Sequence, residues 1–341
     1  MHFPKKNHPN NYSLQAYPFA YFLKREPRTP LTPLRYPGGK RKLAPLIHNL
    51  ISVGRRNIEL FVEPFIGGGS IAISFLEAYP NTRIAIADAD PLVAAFWAVT
   101  FSSNARNLAD KIADTKPSIK LWQQVKESCP KKQLDLAYKC LFLNRTNFSG
   151  IIHDHAGPIG GLEQTSAYTI DCRFNAESLA NRILQLSNYC DRVHFIRCQS
   201  WRKTIRDVSR LSLVRLNPKQ VFWYLDPPFF QKANRLYRFT FTPKDHRQLK
   251  AYLDQLPGSF VLSYDDVPEA RDLYADHGGF ARVELAYNAR IDRGERLGAS
   301  EIVVSNIIND LRTSQYKIDA TISLPRIGWI KNQANRSISL D

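Results

Sequence analysis

The chain has 341 residues and a formal net charge of +16, from 47 Lys and Arg against 31 Asp and Glu. A hydrophobic fraction of 44% with 11% aromatic excludes wholesale disorder, and the length supports a full core without disulfide or metal staples. The basic excess points to a polyanionic partner, nucleic acid ahead of an acidic membrane surface, and no apolar run reaches the roughly 18 residues a membrane span needs.

Residues 1–32 carry Pro, Asn, Lys and aromatics without a sustained period and predict an irregular basic arm. They lack an apolar signal region, so the expected location is cytoplasmic. The segment 33–100 then turns regular: strand over 58–62, three glycines at 67–69, helix over 70–78, and a second strand over 84–87 ending at Asp88. This is the first βαβ unit of a doubly wound sheet. Residues 101–200 interrupt the alternation with helical stretches at 108–113, 134–143 and 176–186 around a Gly-rich segment at 149–161, and read as an inserted, mainly helical domain. The unbroken apolar run Val221 to Leu225 suits a parallel strand covered on both faces, with further strands expected near 260–262 and 302–304. The predicted class is therefore α/β, a Rossmann-like doubly wound sheet built from 33–100 and 201–312, with the insertion at 101–200 and an extension of unassigned role at 313–341. Cysteines 129, 140, 172, 190 and 198 are odd in number and lack a two-residue spacing, which predicts reduced thiols. His153 and His155 flank Asp154 without a third partner at ligand spacing, so no metal site is expected.

Two motifs carry chemistry. In Phe61-Val62-Glu63-Pro64-Phe65-Ile66-Gly67-Gly68-Gly69 the glycines allow a tight turn after a strand, and Asp88 follows Gly67 by 21 positions, where an acid accepts hydrogen bonds from a ribose. Gly67, Gly69 and Ala72 also satisfy the loose dinucleotide spacing, so spacing alone leaves NAD open. Glu63 would repel a pyrophosphate and favour a cationic group such as a sulfonium. The second motif, Asp226-Pro227-Pro228-Phe229, ends the 221–225 strand. Each proline fixes its own φ and holds the preceding residue extended. The result is a stiff corner offering a carboxylate, the Pro227 carbonyl and an aromatic face to a planar amine. Accepting both hydrogens of such an amine makes its nitrogen a better nucleophile toward an activated methyl, and Asp226 need not be a strong base.

Leu34-Arg35-Tyr36-Pro37-Gly38-Gly39-Lys40, the glycine turn, Asp88 and Asp226 to Phe229 occur in an order that resembles the Dam-type adenine-specific DNA methyltransferases. Leu143 to Gly150 resembles the start of that family's DNA-reading insertion, and Glu301 to Asn306 its closing strand. The resemblance implies S-adenosylmethionine as cofactor, double-stranded DNA as partner and methyl transfer by direct displacement to N6 of a flipped-out adenine. It places Tyr36, Lys40, Glu63, Phe65, Gly67, Gly69, Asp88 and Asp226 at the cofactor. Five positions depart from the common pattern: Tyr36-Pro37 for Trp-Ala, Asp90 for Asn, Ser200 for Asp, and Phe229 for Tyr. A cognate restriction endonuclease stays open as a second partner, and a monomer without membrane association is expected.

Residues 201–250 hold 12 Lys/Arg against 3 Asp/Glu, a surplus of 12 − 3 = +9 around the corner. Arg235 and Arg238, interleaved with Tyr237, Phe239 and Phe241, suit phosphates and unstacked bases. Asn144, Arg145 and Asn147 are expected to hold the opened helix or read base edges. Alternative readings are methylation of cytosine N4 or of an amide, and a DNA-binding relative that has lost activity.

Overall fold

The computed structural model describes residues 32–36, 39–54, 57–231, 233–285, 299–313 and 327–328. Helix α1 (Ala44–Val53) precedes strand β1 (Leu60–Glu63), helix α2 (Ser70–Ala78), strand β2 (Arg83–Asp88) and helix α3 (Pro91–Thr100). Helices α4 (Ala105–Ala113), α5 (Ile119–Glu127), α6 (Gln133–Thr146) and α7 (Ala176–Ser187) follow, then strand β3 (Val193–Cys198). After α8 (Trp201–Ser209) and α9 (Ser212–Leu216) come β4 (Val221–Leu225), α10 (Ala233–Leu236), α11 (Pro243–Leu253) and β5 (Ser259–Asp265). The described chain closes with α12 (Pro268–Tyr274), β6 (Phe280–Leu285), β7 (Ala299–Ser305), α13 (Asn306–Thr313) and the two-residue β8 (Ile327–Gly328).

The strands form one sheet in the order β3-β2-β1-β4-β5-β7-β6-β8. The first five are parallel, whereas β7 runs antiparallel between β5 and β6. Both faces are covered because side chains alternate along each strand. From β4, Phe222 and Tyr224 join one core with Phe61, Ile84 and Ile86, while Val221, Trp223 and Leu225 join a second with Leu60, Val62 and Ala85. The winding reverses at β1, whose neighbours β2 and β4 lie on opposite sides. A crevice at the carboxyl ends of the strands is the consequence, and Glu63, Asp88 and Asp226 stand at three of those ends.

The predicted α/β class, the glycine turn and the helix at 70–78 match the observed elements. Three expectations change. The 101–200 boundary takes in β3, an edge strand of the main sheet paired in parallel with β2. Its helices also share the first core, to which Leu108, Ile112, Phe142 and Ile183 belong beside Phe61 and Phe222. Strand β6 was not anticipated, although Ala281 to Leu285 alternates apolar and polar residues. The arm at 1–31, Pro37 and Gly38, and nearly all of 314–341 lie outside the described residues. Among the described residues, no helix is long and apolar enough to cross a membrane.

Candidate active site

A cavity of about 230 Å³ opens at the carboxyl ends of β1, β2 and β4. Its floor is the glycine turn. Gly67 and Gly69 hold φ of +43° and +68°, a left-handed region that glycine enters without strain. A Cβ on Gly69 would stand 2.4 Å from the buried Trp97 ring, and one on Gly67 2.8 Å from the Tyr36 ring. Trp97 Nε1 donates to the Gly67 carbonyl at 2.9 Å, so α3 braces the turn. Gly69 caps α2 without a side chain, and Glu63 supplies the missing acceptor by taking the Ala72 N–H at 3.0 Å.

Asp88 fixes the other side of the turn, accepting Gly67 N–H at 2.9 Å through Oδ2 and Asp90 N–H at 2.8 Å through Oδ1. Asp90 in turn caps α3, its Oδ1 accepting Leu92 N–H at 2.8 Å, with Pro91 at the first helical position. Ser200, one of the departures, caps α8 by accepting from Lys203 N–H. Cys198, Ser200 and Trp201 thus follow from β3 toward the same rim, where Ser200 and Trp201 line the cavity.

The Asp-Pro-Pro-Phe corner is anchored by tertiary contacts absent from the motif. Lys40, buried, reaches Glu301 Oε2 at 3.0 Å and Asp226 Oδ1 at 3.5 Å, and its ammonium lies 5.3 Å from the Phe229 ring centroid. Ser263 Oγ donates to Asp226 Oδ1 at 3.3 Å and bonds Tyr224 Oη at 2.8 Å. Phe230 stacks on His246 at 3.7 Å, and His246 Nδ1 meets Tyr264 Oη at 2.8 Å. The Asp226 side chain is 24% exposed, toward the cavity. Tyr36 stacks on Tyr237 (5.9 Å, 23°), and Tyr237 meets Phe229 edge-on at 5.7 Å. These three rings form an aromatic wall beside the carboxylate.

The electrostatics favour a cation. Five carboxylates line the cavity (Glu63, Asp88, Asp90, Asp226, Asp245) against three basic side chains (Lys40, Arg202, Arg238), each of which already pairs with an acid. Burial pushes Asp88 up to about 7. Burial also raises Asp226 to about 7, opposed by Lys40 and reinforced by Glu301. Glu63 is raised by burial and then by the neighbouring Asp226 charge. The site holds protons where a positively charged ligand would hold the carboxylates ionised.

The structure therefore brings Tyr36, Lys40, Glu63, Phe65, Gly67, Gly69, Asp88, Asp226 and Pro228 together on one cavity. Phe229 joins through Lys40 and Tyr237, and Pro227 is buried between Asp226 and Pro228. The DNA-contact expectations divide. Asn144 turns inward: its Oδ1 accepts Arg35 N–H at 2.7 Å, and its Nδ2 donates to the Arg35 and Gly150 carbonyls. Asn147 is likewise buried, accepting from Trp122 Nε1 and donating to the Ile151 carbonyl. Both side chains are buried and bonded within the fold, which corrects the expectation that they meet bases. Arg145 is 8% exposed and donates Nε–H to the Pro33 carbonyl. With Arg35, Arg41 and Arg173 it lines an open groove beside Tyr36 with no acid among the described lining residues. Among the described residues, no carboxylate pairs with Arg35, Arg145 or Arg173. Arg235 is exposed on α10, and Arg238 is exposed as well, but Arg238 is already engaged: it bonds Asp90 at 3.2 Å and lines the cavity. Glu301, Ser263 and Tyr237 are site residues that sequence reasoning missed. A buried acid within the apolar run 299–305 was the available signal for Glu301.

Compared with known proteins, residues 36–290, about three quarters of the chain, match the family model of the D12 class N6 adenine-specific DNA methyltransferases. A search of curated proteins returns no match.

Proposed function

The chain belongs to the D12 class N6 adenine-specific DNA methyltransferases, a family of enzymes, and from that membership we propose that it methylates N6 of an adenine turned out of duplex DNA, with S-adenosylmethionine as methyl donor. The observation that carries this reading is the convergence of Glu63, Asp88 and the Asp226 corner on one acid-rich cavity.

The residues fit the cofactor. Asp88 suits the ribose hydroxyls, the glycine turn leaves backbone room, and the surplus of carboxylates suits a sulfonium nucleoside better than a pyrophosphate. When bound, the cofactor supplies an activated methyl group. Asp226 Oδ and the Pro227 carbonyl accept the two N–H bonds of the adenine amine, orienting its nitrogen toward that methyl. Asp226 then takes the proton released from the alkylated nitrogen, and a carboxyl raised to about 7 is suited to that acceptance near neutral pH. Tyr36, Tyr237 and Phe229 supply stacking faces that offset the few kcal/mol of extracting a base. Arg235 and the Arg35, Arg145 and Arg173 groove suit backbone phosphates, since the Arg145 guanidinium, buried without a carboxylate, calls for an external anion and the other three stand where phosphates can reach them.

The test is nucleoside analysis of duplex DNA after incubation with methyl-labelled S-adenosylmethionine. Label in N6-methyladenine is expected, and Asp226→Ala should abolish it while leaving duplex affinity within a few-fold. Label in N4-methylcytosine, or undiminished turnover by Asp226→Ala, would overturn the reading.

A further inference from the structure

Arg238 sits in the middle of a segment, 237–241, that roofs the cavity. The main chain of 238–241 makes no hydrogen bond to other described residues, so among these the stretch is held by its side chains. Phe241 packs edge-on against Phe65 at 5.7 Å, and Tyr237 stacks on Tyr36. Between them, Arg238 Nη1 lies 3.2 Å from Asp90 Oδ1. Asp90 is buried and hydrogen-bonded to Asp88 through its own N–H, and Asp88 holds Gly67. One chain of contacts thus joins the roof to the ribose-side acid and the glycine turn. As a helix cap, asparagine at 90 would serve α3 as well as aspartate. The additional charge of the carboxylate is used by Arg238.

Resting on the proposed methyl-transfer reading, we propose that Arg238 is a positioning residue and not a phosphate contact. Its ion pair with Asp90 latches 237–241 over the bound cofactor and seats Tyr237 in the wall where cofactor and target base meet. Opening the pair frees the roof for the cofactor to pass; closing it sets the aromatic wall. Cofactor retention and base placement are thereby coupled through one contact.

The experiment measures release of radiolabelled S-adenosylmethionine from the full chain during a chase with unlabelled cofactor, without DNA. Arg238→Gln is expected to speed release roughly tenfold, the size of one charge-assisted hydrogen bond. Asp90→Asn should speed release too, with melting unchanged because the cap acceptor remains. The double variant should release no faster than the faster single one, and Arg238→Lys should restore part of the retention. In parallel, the salt dependence of duplex binding should be the same for Arg238→Gln as for the parent. Unchanged release in Arg238→Gln, or additive effects in the double variant, overturns the latch. So does a salt slope lowered by about one with release unaltered, which would make Arg238 a phosphate contact. Failure of the parent to bind the cofactor would instead remove the underlying functional reading.

Discussion

Replacing Lys40 by Met tests the buried charge network behind Asp226. Lys40 Nζ stands 3.0 Å from Glu301 and 3.5 Å from Asp226. At an effective dielectric near 20 each contact is an attraction of about 5 kcal/mol, much of it offset by desolvating the lysine. Removing one partner from such a network leaves the others buried and uncompensated, at a loss of about 3–5 kcal/mol. That corresponds to a melting temperature lower by about 4–7 °C for a chain of this length. The loss should be larger at pH 8 than at pH 5, because at the lower pH the two carboxyl groups take up protons and shed their charge. Catalysis should respond separately. Lys40 holds the Asp226 carboxyl down against burial and Glu301, so without it the group ionises at higher pH. A proton acceptor works in its ionised form, and the rising limb of the rate profile should move alkaline by about 1–3 pH units. Adding Glu301→Gln to Lys40→Met should return part of the stability while leaving the limb above that of the parent. Calorimetric melting and initial rates from pH 5 to 9 measure both. A Lys40→Met protein that melts within about 2 °C of the parent and keeps its pH limb would refute the network.

Gly69→Ala combines a left-handed φ with a Cβ 2.4 Å from the Trp97 ring, and should lower stability by about 2–4 kcal/mol; an unchanged denaturation midpoint would show that the turn relaxes freely. Asp88 is raised to about 7, so between about pH 4 and 7 the folded chain binds a proton that the unfolded chain has released, and this group's contribution to stability falls as pH rises through that window. Asp88→Asn should flatten that decline by up to about 1.4 kcal/mol per pH unit, and denaturant titrations at pH 5, 6 and 7 with an unaltered slope would contradict the shift. Arg35→Ala and Arg173→Ala should each weaken duplex binding regardless of sequence and lower the salt slope by about 0.9; an unchanged slope would place phosphates elsewhere.

The amino-acid order alone determined the pieces whose signals are local. A glycine turn after an apolar strand, an acid at the end of the next strand, and prolines after an unbroken apolar run each follow from backbone sterics and side-chain periodicity over a few residues. Those pieces gave the α/β class and the core of the candidate site. The tertiary structure decided the partners. Lys40 meets Glu301 across 261 positions and Arg238 meets Asp90 across 148, distances over which no periodicity speaks. The same limit explains Asn144 and Asn147, whose side chains could equally read a base or tie a loop by composition. Only the packing of α6 against Arg35, Trp122 and Gly150 turned them inward, because a buried amide must find its hydrogen-bond partners within the fold. Strand β3 was hidden for a related reason. At the sheet's edge it is half-exposed, so its sequence mixes His and Arg with apolar residues, and only pairing with β2 identifies it.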